Sequence, residues 1–177
     1  MHSDNRLVRR FFATALATLG LAAIPAAAMA QPLNSVAIRT SASAGYLVLD
    51  VSGGSTRAGA EIIQWYGHGG SNQRWNFVPL GNGKQKIVNQ NSGMCLAVSS
   101  VAGQSLFQWY CNGDPHEEWR GDLGYAFGDG FTAGRSLTNP ATGYAVDIAG
   151  SNWRAGAAAI GWYDTDAQNQ HFSYWQL

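Results

Sequence analysis

Ile62-Ile63-Gln64-Trp65-Tyr66, followed after a short gap by Asn72-Gln73-Arg74-Trp75, is the stretch on which the fold of this chain turns. It recurs as Leu106-Phe107-Gln108-Trp109-Tyr110-Cys111 with His116-Glu117-Glu118-Trp119. It recurs again as Ala159-Ile160-Gly161-Trp162-Tyr163 with Asn169-Gln170-His171-Phe172. Each copy follows a related segment: Gly45-Tyr46-Leu47-Val48-Leu49-Asp50-Val51, Gly93-Met94-Cys95-Leu96-Ala97-Val98, and Gly143-Tyr144-Ala145-Val146-Asp147-Ile148. The Trp-Tyr pair therefore stands at 65, 109 and 162, with spacings of 44 and 53 residues. Self-similarity at such a period is the mark of a repeat architecture.

Each unit reads as strands. Val36-Ala37-Ile38, Leu47 to Val51 and Ile62 to Tyr66 are short apolar or alternating runs, separated by Gly, Ser and Asn clusters. Asn82-Gly83, between Phe77-Val78 and Ile87-Val88, is a hairpin signal. No stretch after the leader has an amphipathic helical period. Short, evenly spaced strands point to an all-β sandwich or barrel, and the threefold period narrows this to three lobes closing on one another. A propeller of three blades falls below the usual blade count. Trp75, Trp119 and Phe172 hold the same place in each unit, so they are expected in the shared core, where aromatics bury large areas.

Composition sets the outer bounds. The chain has 177 residues, 46% hydrophobic and only 12% charged, against a globular average of about 25% charged. It carries 7 Trp, 7 Tyr, 7 Phe and 22 Gly, with no net formal charge. A neutral, Lys-poor chain is a poor match for nucleic-acid phosphates, which call for clustered Lys and Arg. The aromatics argue against disorder, and the length against a multidomain enzyme. The 2 cysteines are too few for a disulfide-dense miniprotein.

Residues 1–30 read as a secretory signal peptide. Arg6, Arg9 and Arg10 precede an apolar run from Phe11 to Ala28, which ends in Ala28-Met29-Ala30 before Gln31-Pro32. A retained membrane anchor is the alternative, but the run is Ala-rich and near the lower length limit for a span. No later segment approaches a membrane span. Cleavage after Ala30 would leave residues 31–177 with 8 basic and 10 acidic side chains. Export would also permit a disulfide between Cys95 and Cys111.

The three co-registered copies of a Gln-x-Trp-like pattern, Gln73-Arg74-Trp75, Glu117-Glu118-Trp119 (with Glu for Gln) and Gln170-His171-Phe172, make the chain resemble the ricin B-type β-trefoil lectins, a class of carbohydrate-binding module. The resemblance covers essentially all of residues 31–177. It implies a β-trefoil of three four-stranded lobes around a pseudo-threefold axis, at about 35–82, 83–128 and 129–177. It also implies a within-lobe disulfide, Cys95 to Cys111, closing a loop worth about 3 kcal/mol in the chain-entropy model.

A sugar presents a C–H face and a rim of hydroxyls. An aromatic ring gives that face a rigid platform. A carboxylate accepts strong charge-assisted bonds from the rim, and an amide can donate and accept at once. Family members use the Asp of the second strand, the aromatic after Gln, and the Asn of Asn-Gln for these tasks; the Gln of that pair more often supports the Asp. Carried over, the first lobe has Asp50, Gln64, Tyr66, Asn72 and Gln73. The third has Asp147, Tyr163, Asn169 and Gln170, with Gly161 in place of a Gln. The second has Ala97 for the Asp and His116-Glu117 for Asn-Gln, and reads as structural. A plain turn role for Asp50 and Asp147 is the competing reading.

Other chemistry is thin. Glycoside hydrolysis needs two carboxylates flanking the bond, and each competent lobe supplies one. Glu117 and Glu118 are adjacent and would diverge on a strand. Asp164-Thr165-Asp166 lacks a calcium-loop continuation, His68 reads as a loop residue at the pocket rim, and the His and Cys form no zinc pattern. No nucleophile turn appears. The expectation is a secreted, non-enzymatic lectin that binds galactose-type or related sugars at two lobes, with no cofactor, metal or nucleic acid. The alternatives are a targeting subunit of a toxin or enzyme complex, a protein-interaction trefoil, or a hydrolase.

Overall fold

The computed structural model describes residues 34–41, 46–121, 123–125 and 135–176. The expected signal peptide, residues 1–30, lies outside the described residues. Eleven strands are described: β1 (Val36–Thr40), β2 (Leu47–Val51), β3 (Ile62–Tyr66), β4 (Trp75–Gly81), β5 (Lys84–Asn89), β6 (Cys95–Ala97), β7 (Phe107–Trp109), β8 (Gly124–Tyr125), β9 (Tyr144–Ile148), β10 (Ala159–Tyr163) and β11 (Phe172–Gln176). Among the described residues only single 3-10 turns interrupt them. No helix among the described residues is long and apolar enough to cross a membrane.

In each lobe the second and third strands form an antiparallel hairpin: β2 with β3, β6 with β7, β9 with β10. β4 and β5 make the hairpin around Asn82-Gly83 that the dipeptide signals, with both residues at positive φ. β1 pairs antiparallel with β11, joining the first lobe to the third near the chain ends.

The threefold relation appears in the hydrogen bonds between lobes. Gly59 N donates to Gln108 O, Gly103 N to Gly161 O, and Gly156 N to Gln64 O, each at 2.8 Å. These three bonds close a cycle from each lobe to the next. Ile62, Leu106 and Ala159 hold equivalent places at this junction and are all fully buried. Trp75, Trp119 and Phe172 are likewise fully buried, as their repeat position predicts. The two indoles donate to Leu49 O and Leu96 O, so their polar atoms are satisfied inside the core; Phe172 needs no acceptor. The chain is a β-trefoil. Cys95 and Cys111 form the disulfide.

Candidate functional site

The first-lobe site is built by strand alternation. In the β2–β3 pair, Asp50 faces Ile63 and Val48 faces Trp65, so these side chains share one surface of the hairpin. Leu49, Gln64, Val51 and Ile62 point the other way, into the core. After β2 the chain makes a 3-10 turn, Ser52–Gly54, with Gly53 at φ 64°. After β3 a second such turn, Ser71–Gln73, carries Asn72 and Gln73 back over Asp50. The result is an open cavity of about 490 Å³ lined by Asp50, Gly53, Ile63, Trp65, His68 and Asn72, among others.

Asp50 is only 3% exposed. Its Oδ2 accepts from Asn72 Nδ2 at 2.9 Å and Gln73 Nε2 at 2.7 Å. His68 Nε2 stands 3.6 Å from the same oxygen, and its Nδ1 accepts from Gly70 N at 3.1 Å. Gln73 in turn accepts from His68 N and donates to Tyr66 O, which fixes its amide. These bonds gather on Oδ2, and the other carboxylate oxygen has no hydrogen bond among the described residues. Burial pushes the Asp50 carboxyl above its ordinary value, opposed by the bonds from Gln73 and Asn72 and by His68.

The third lobe repeats this construction. Asp147 faces Ile160, and Ala145 faces Trp162, across β9 and β10. Gln170 Nε2 donates to Asp147 Oδ2 at 2.9 Å and to Tyr163 O at 2.7 Å, while its Oε1 accepts from Thr165 N. Asn169 donates to Ile148 O. The cavity holds about 340 Å³ and includes Asp147, Gly150, Ile160, Trp162 and Asn169. Burial raises the Asp147 carboxyl as it does Asp50, against the bonds from Gln170 and Asn169. Thr165 replaces His68, so this site has no imidazole beside its carboxylate.

Two sequence expectations need correction. The aromatic wall of each cavity is Trp65 or Trp162, not Tyr66 or Tyr163. The period of two along a strand puts the Tyr on the opposite side from its Trp, where it stays largely exposed at the strand end. Gln64 is also not in the cavity. It is fully buried, and its Nε2 donates to Asn152 O and Arg154 O of the third lobe. Gln108 donates in the same way to Ser55 O and Arg57 O of the first lobe. This Gln is therefore a clamp between lobes. At the third equivalent position a Cβ on Gly161 would lie 2.5 Å from Val98 of the second lobe, so a Gln there would require Val98 to shift. Gln73 and Gln170 take the supporting place: they are fully buried and donate to the carboxylates without lining the cavities.

Sequence reasoning also missed residues. Each wall Trp leans on a glycine of the neighbouring lobe: Gly156 behind Trp65, Gly59 behind Trp109, Gly103 behind Trp162. All three glycines have φ between +81° and +88°, where a side chain would be strained as well as close to the indole. The signal was present in Arg57-Ala58-Gly59, Val101-Ala102-Gly103 and Arg154-Ala155-Gly156. The turns Ser52–Gly54 and Ala149–Ser151 line the first and third cavities. From the second-strand Asp to this glycine is nine residues in those lobes, Asp50 to Gly59 and Asp147 to Gly156, but six in the second, Ala97 to Gly103. The second lobe thus lacks the turn as well as the Asp. No cluster of three or more metal-ligating side chains occurs among the described residues.

The ricin-type beta-trefoil lectin domain-like family matches residues 30–105 and 71–162. No curated protein matches the chain. Among solved structures, the designed threefold-symmetric protein ThreeFoil is similar at 30% identity and TM-score 0.69, over 80% of this chain and 98% of its own. An exo-beta-1,3-galactanase from Clostridium thermocellum is similar at 28% identity and TM-score 0.70, over 81% of this chain but only 30% of the enzyme. The C-half of an earthworm R-type lectin, solved with GalNAc, shares the fold at 20% identity and TM-score 0.59, over 80% of this chain and 98% of that one.

Proposed function

This chain belongs to the ricin-type beta-trefoil lectin domain-like family, whose role is carbohydrate binding, and on that premise we propose that it is a secreted lectin holding one sugar in each of its first and third lobes. The observation that carries this reading is the duplicated cavity, in which Asp50 with Asn72 and Trp65 is matched by Asp147 with Asn169 and Trp162. The indole takes the C–H face of the ring. The outward carboxylate oxygen accepts from its hydroxyls, and the Asn amide completes the clamp. Galactose-type sugars are the proposed ligands, and the likeness to a galactanase module at 28% identity supports a galactan-like polymer.

Secretion rests on the leader expected at residues 1–30, with the lobes at about 35–82, 83–128 and 129–177. Each of the two cavities presents one carboxylate, which suits binding and not hydrolysis. Shallow sites of this kind bind single sugars at roughly millimolar to micromolar strength. Two on one chain gain avidity on a polymer, because the second contact is intramolecular. A second reading is a targeting module working beside a catalytic chain. It is favoured by the galactanase, in which the matching part is 30% of a longer chain. A glycan array followed by calorimetry tests the main reading: saturable binding of a galactose-type glycan at two sites is expected, and no retention on any glycan at millimolar strength refutes it.

A further inference from the structure

We propose that the second lobe carries a third site of different chemistry, which takes a sugar ring bearing a free primary ammonium group. The lobe lacks the Asp–Asn clamp, yet it keeps a cavity of about 370 Å³. Ala97, Phe107 and Trp109 form its apolar side, and Asp114, His116 and Glu117 its polar side.

Glu117 is the decisive residue. It occupies the place of Gln73 and Gln170. Those amides accept a loop N–H with their oxygen, and with their nitrogen donate to the Asp and to a Tyr carbonyl. Glu117 keeps the first half of the pattern, since its Oε2 accepts from Gly113 N at 3.3 Å. Its second oxygen, Oε1, is the counterpart of the amide nitrogen, and in the ionised carboxylate it can only accept. The residue is only 1% exposed, and Oε1 has no hydrogen-bond partner among the described residues. A buried carboxylate oxygen without a donor is costly, and a cationic donor entering from the cavity removes that cost.

The surroundings favour a cation. Among the described residues, the cavity lining holds the carboxylates of Asp114 and Glu117 and no Lys or Arg. His116 is engaged by Asp114 at 2.8 Å, and Lys84 is taken by Glu118 at 2.6 Å. Ala97 leaves free the volume that a carboxylate fills in the other lobes. An ammonium is compact and carries three donors, so it fits that volume. Trp109 is 41% exposed and backed by Gly59, as the wall indoles of the other lobes are by their glycines. It offers the ring's C–H face a platform and the nearby charge a π-face. The rigid platform selects an amino sugar over a lysine side chain, and acetylation would remove both the charge and the fit.

The test uses the intact protein carrying Asp50→Ala and Asp147→Ala, which silences the other two lobes and keeps this inference separate from the reading above. It is titrated by calorimetry with a trimer of glucosamine, and in parallel with the N-acetylated trimer and with trilysine. Saturable binding of the glucosamine trimer is expected, with each parallel ligand weaker by about tenfold or more. Glu117→Gln should weaken the glucosamine trimer by about tenfold. It installs the amide found in the other lobes, so the fold is retained, and Trp109→Ala gives a second variant with the same expected loss. No saturable binding, equal binding of either parallel ligand, or unchanged binding by both variants overturns the proposal.

Discussion

Replacing Asp50 by Ala should remove one sugar site and leave the fold almost untouched. The usual objection is that deleting a buried carboxylate strands its donors. Here both donors have second acceptors in place. Gln73 Nε2 also donates to Tyr66 O at 2.9 Å, and Asn72 Nδ2 lies 3.4 Å from Val51 O. The carboxylate itself is held at a desolvation cost, which the substitution removes. The net effect on stability should stay within about 1 kcal/mol, or roughly 2–4 °C in Tm for a domain of this size. Binding behaves differently, because the ligand loses its charge-assisted acceptor. That loss is about 1.5–3 kcal/mol, or roughly 10- to 150-fold in affinity, enough to take a shallow site out of range. Calorimetry with a neutral galactose-type glycan should show the stoichiometry fall from two sites to one, and Asp50→Ala with Asp147→Ala should leave none. Two sites remaining in the single variant would refute the assignment; an unfolded variant would refute the argument about second acceptors.

The remaining predictions concern the wall, the proton, the bridge and the second lobe. Trp65→Ala should cost the first site about tenfold or more in affinity while Tyr66→Ala changes it little, read by titration in an Asp147→Ala background. Burial raises both site carboxyls, so as pH falls they protonate above the ordinary Asp value of about 3.9 and glycan affinity drops there; affinity measured across pH 3–7 (about that range) checks it. The folded chain holds these two protons more tightly than the unfolded chain, so both residues favour folding below their folded values and cease to as pH rises through them. Cys95→Ala with Cys111→Ala should cost about 3 kcal/mol in chemical denaturation with sugar binding by the first and third lobes unchanged. Ala97→Asp alone should create no galactose site, since its carboxylate would face that of Glu117 instead of an amide, and the glycine turn is missing; galactose binding at the second lobe would contradict this.

Much of the fold was legible because the repeat imposes it three times. Trp75, Trp119 and Phe172 had to share one environment, and a closed three-lobed core is the arrangement that gives it to them. Asp50 and Asp147 were legible as well, since a lone acid on an apolar strand stands out. The wall residue was not. In Trp65-Tyr66 the two rings are adjacent, and strand alternation sends them to opposite sides, but composition alone does not say which side is the cavity. That choice is fixed by the pairing of Asp50 with Ile63 across the hairpin, a register that the strand's own residues do not state. Gln64 misled for a related reason. Its polar head suggested a ligand contact, yet its acceptors are carbonyls of Asn152 and Arg154, nearly ninety positions away.

The division of labour between backbone and side chains explains how the lobes diverge without loss of fold. The cycle through Gly59, Gly103 and Gly156 uses main-chain atoms, so it is indifferent to what fills the cavities. The Gln clamps lie on the core side of the strands that carry the wall Trp residues, and the buried indoles follow later in the chain, Trp75 at the start of β4. Cavity residues lie on the other side, and the loops between strands are free to lengthen or shorten. The second lobe shows the consequence. It has lost the Asp, the amide pair and a three-residue turn, yet Trp119 stays fully buried and Gly103 still donates to the next lobe. Because the scaffold does not depend on these positions, a carboxylate at 117 can face a cavity where the other lobes hold an amide, and one trefoil can carry two recognition chemistries.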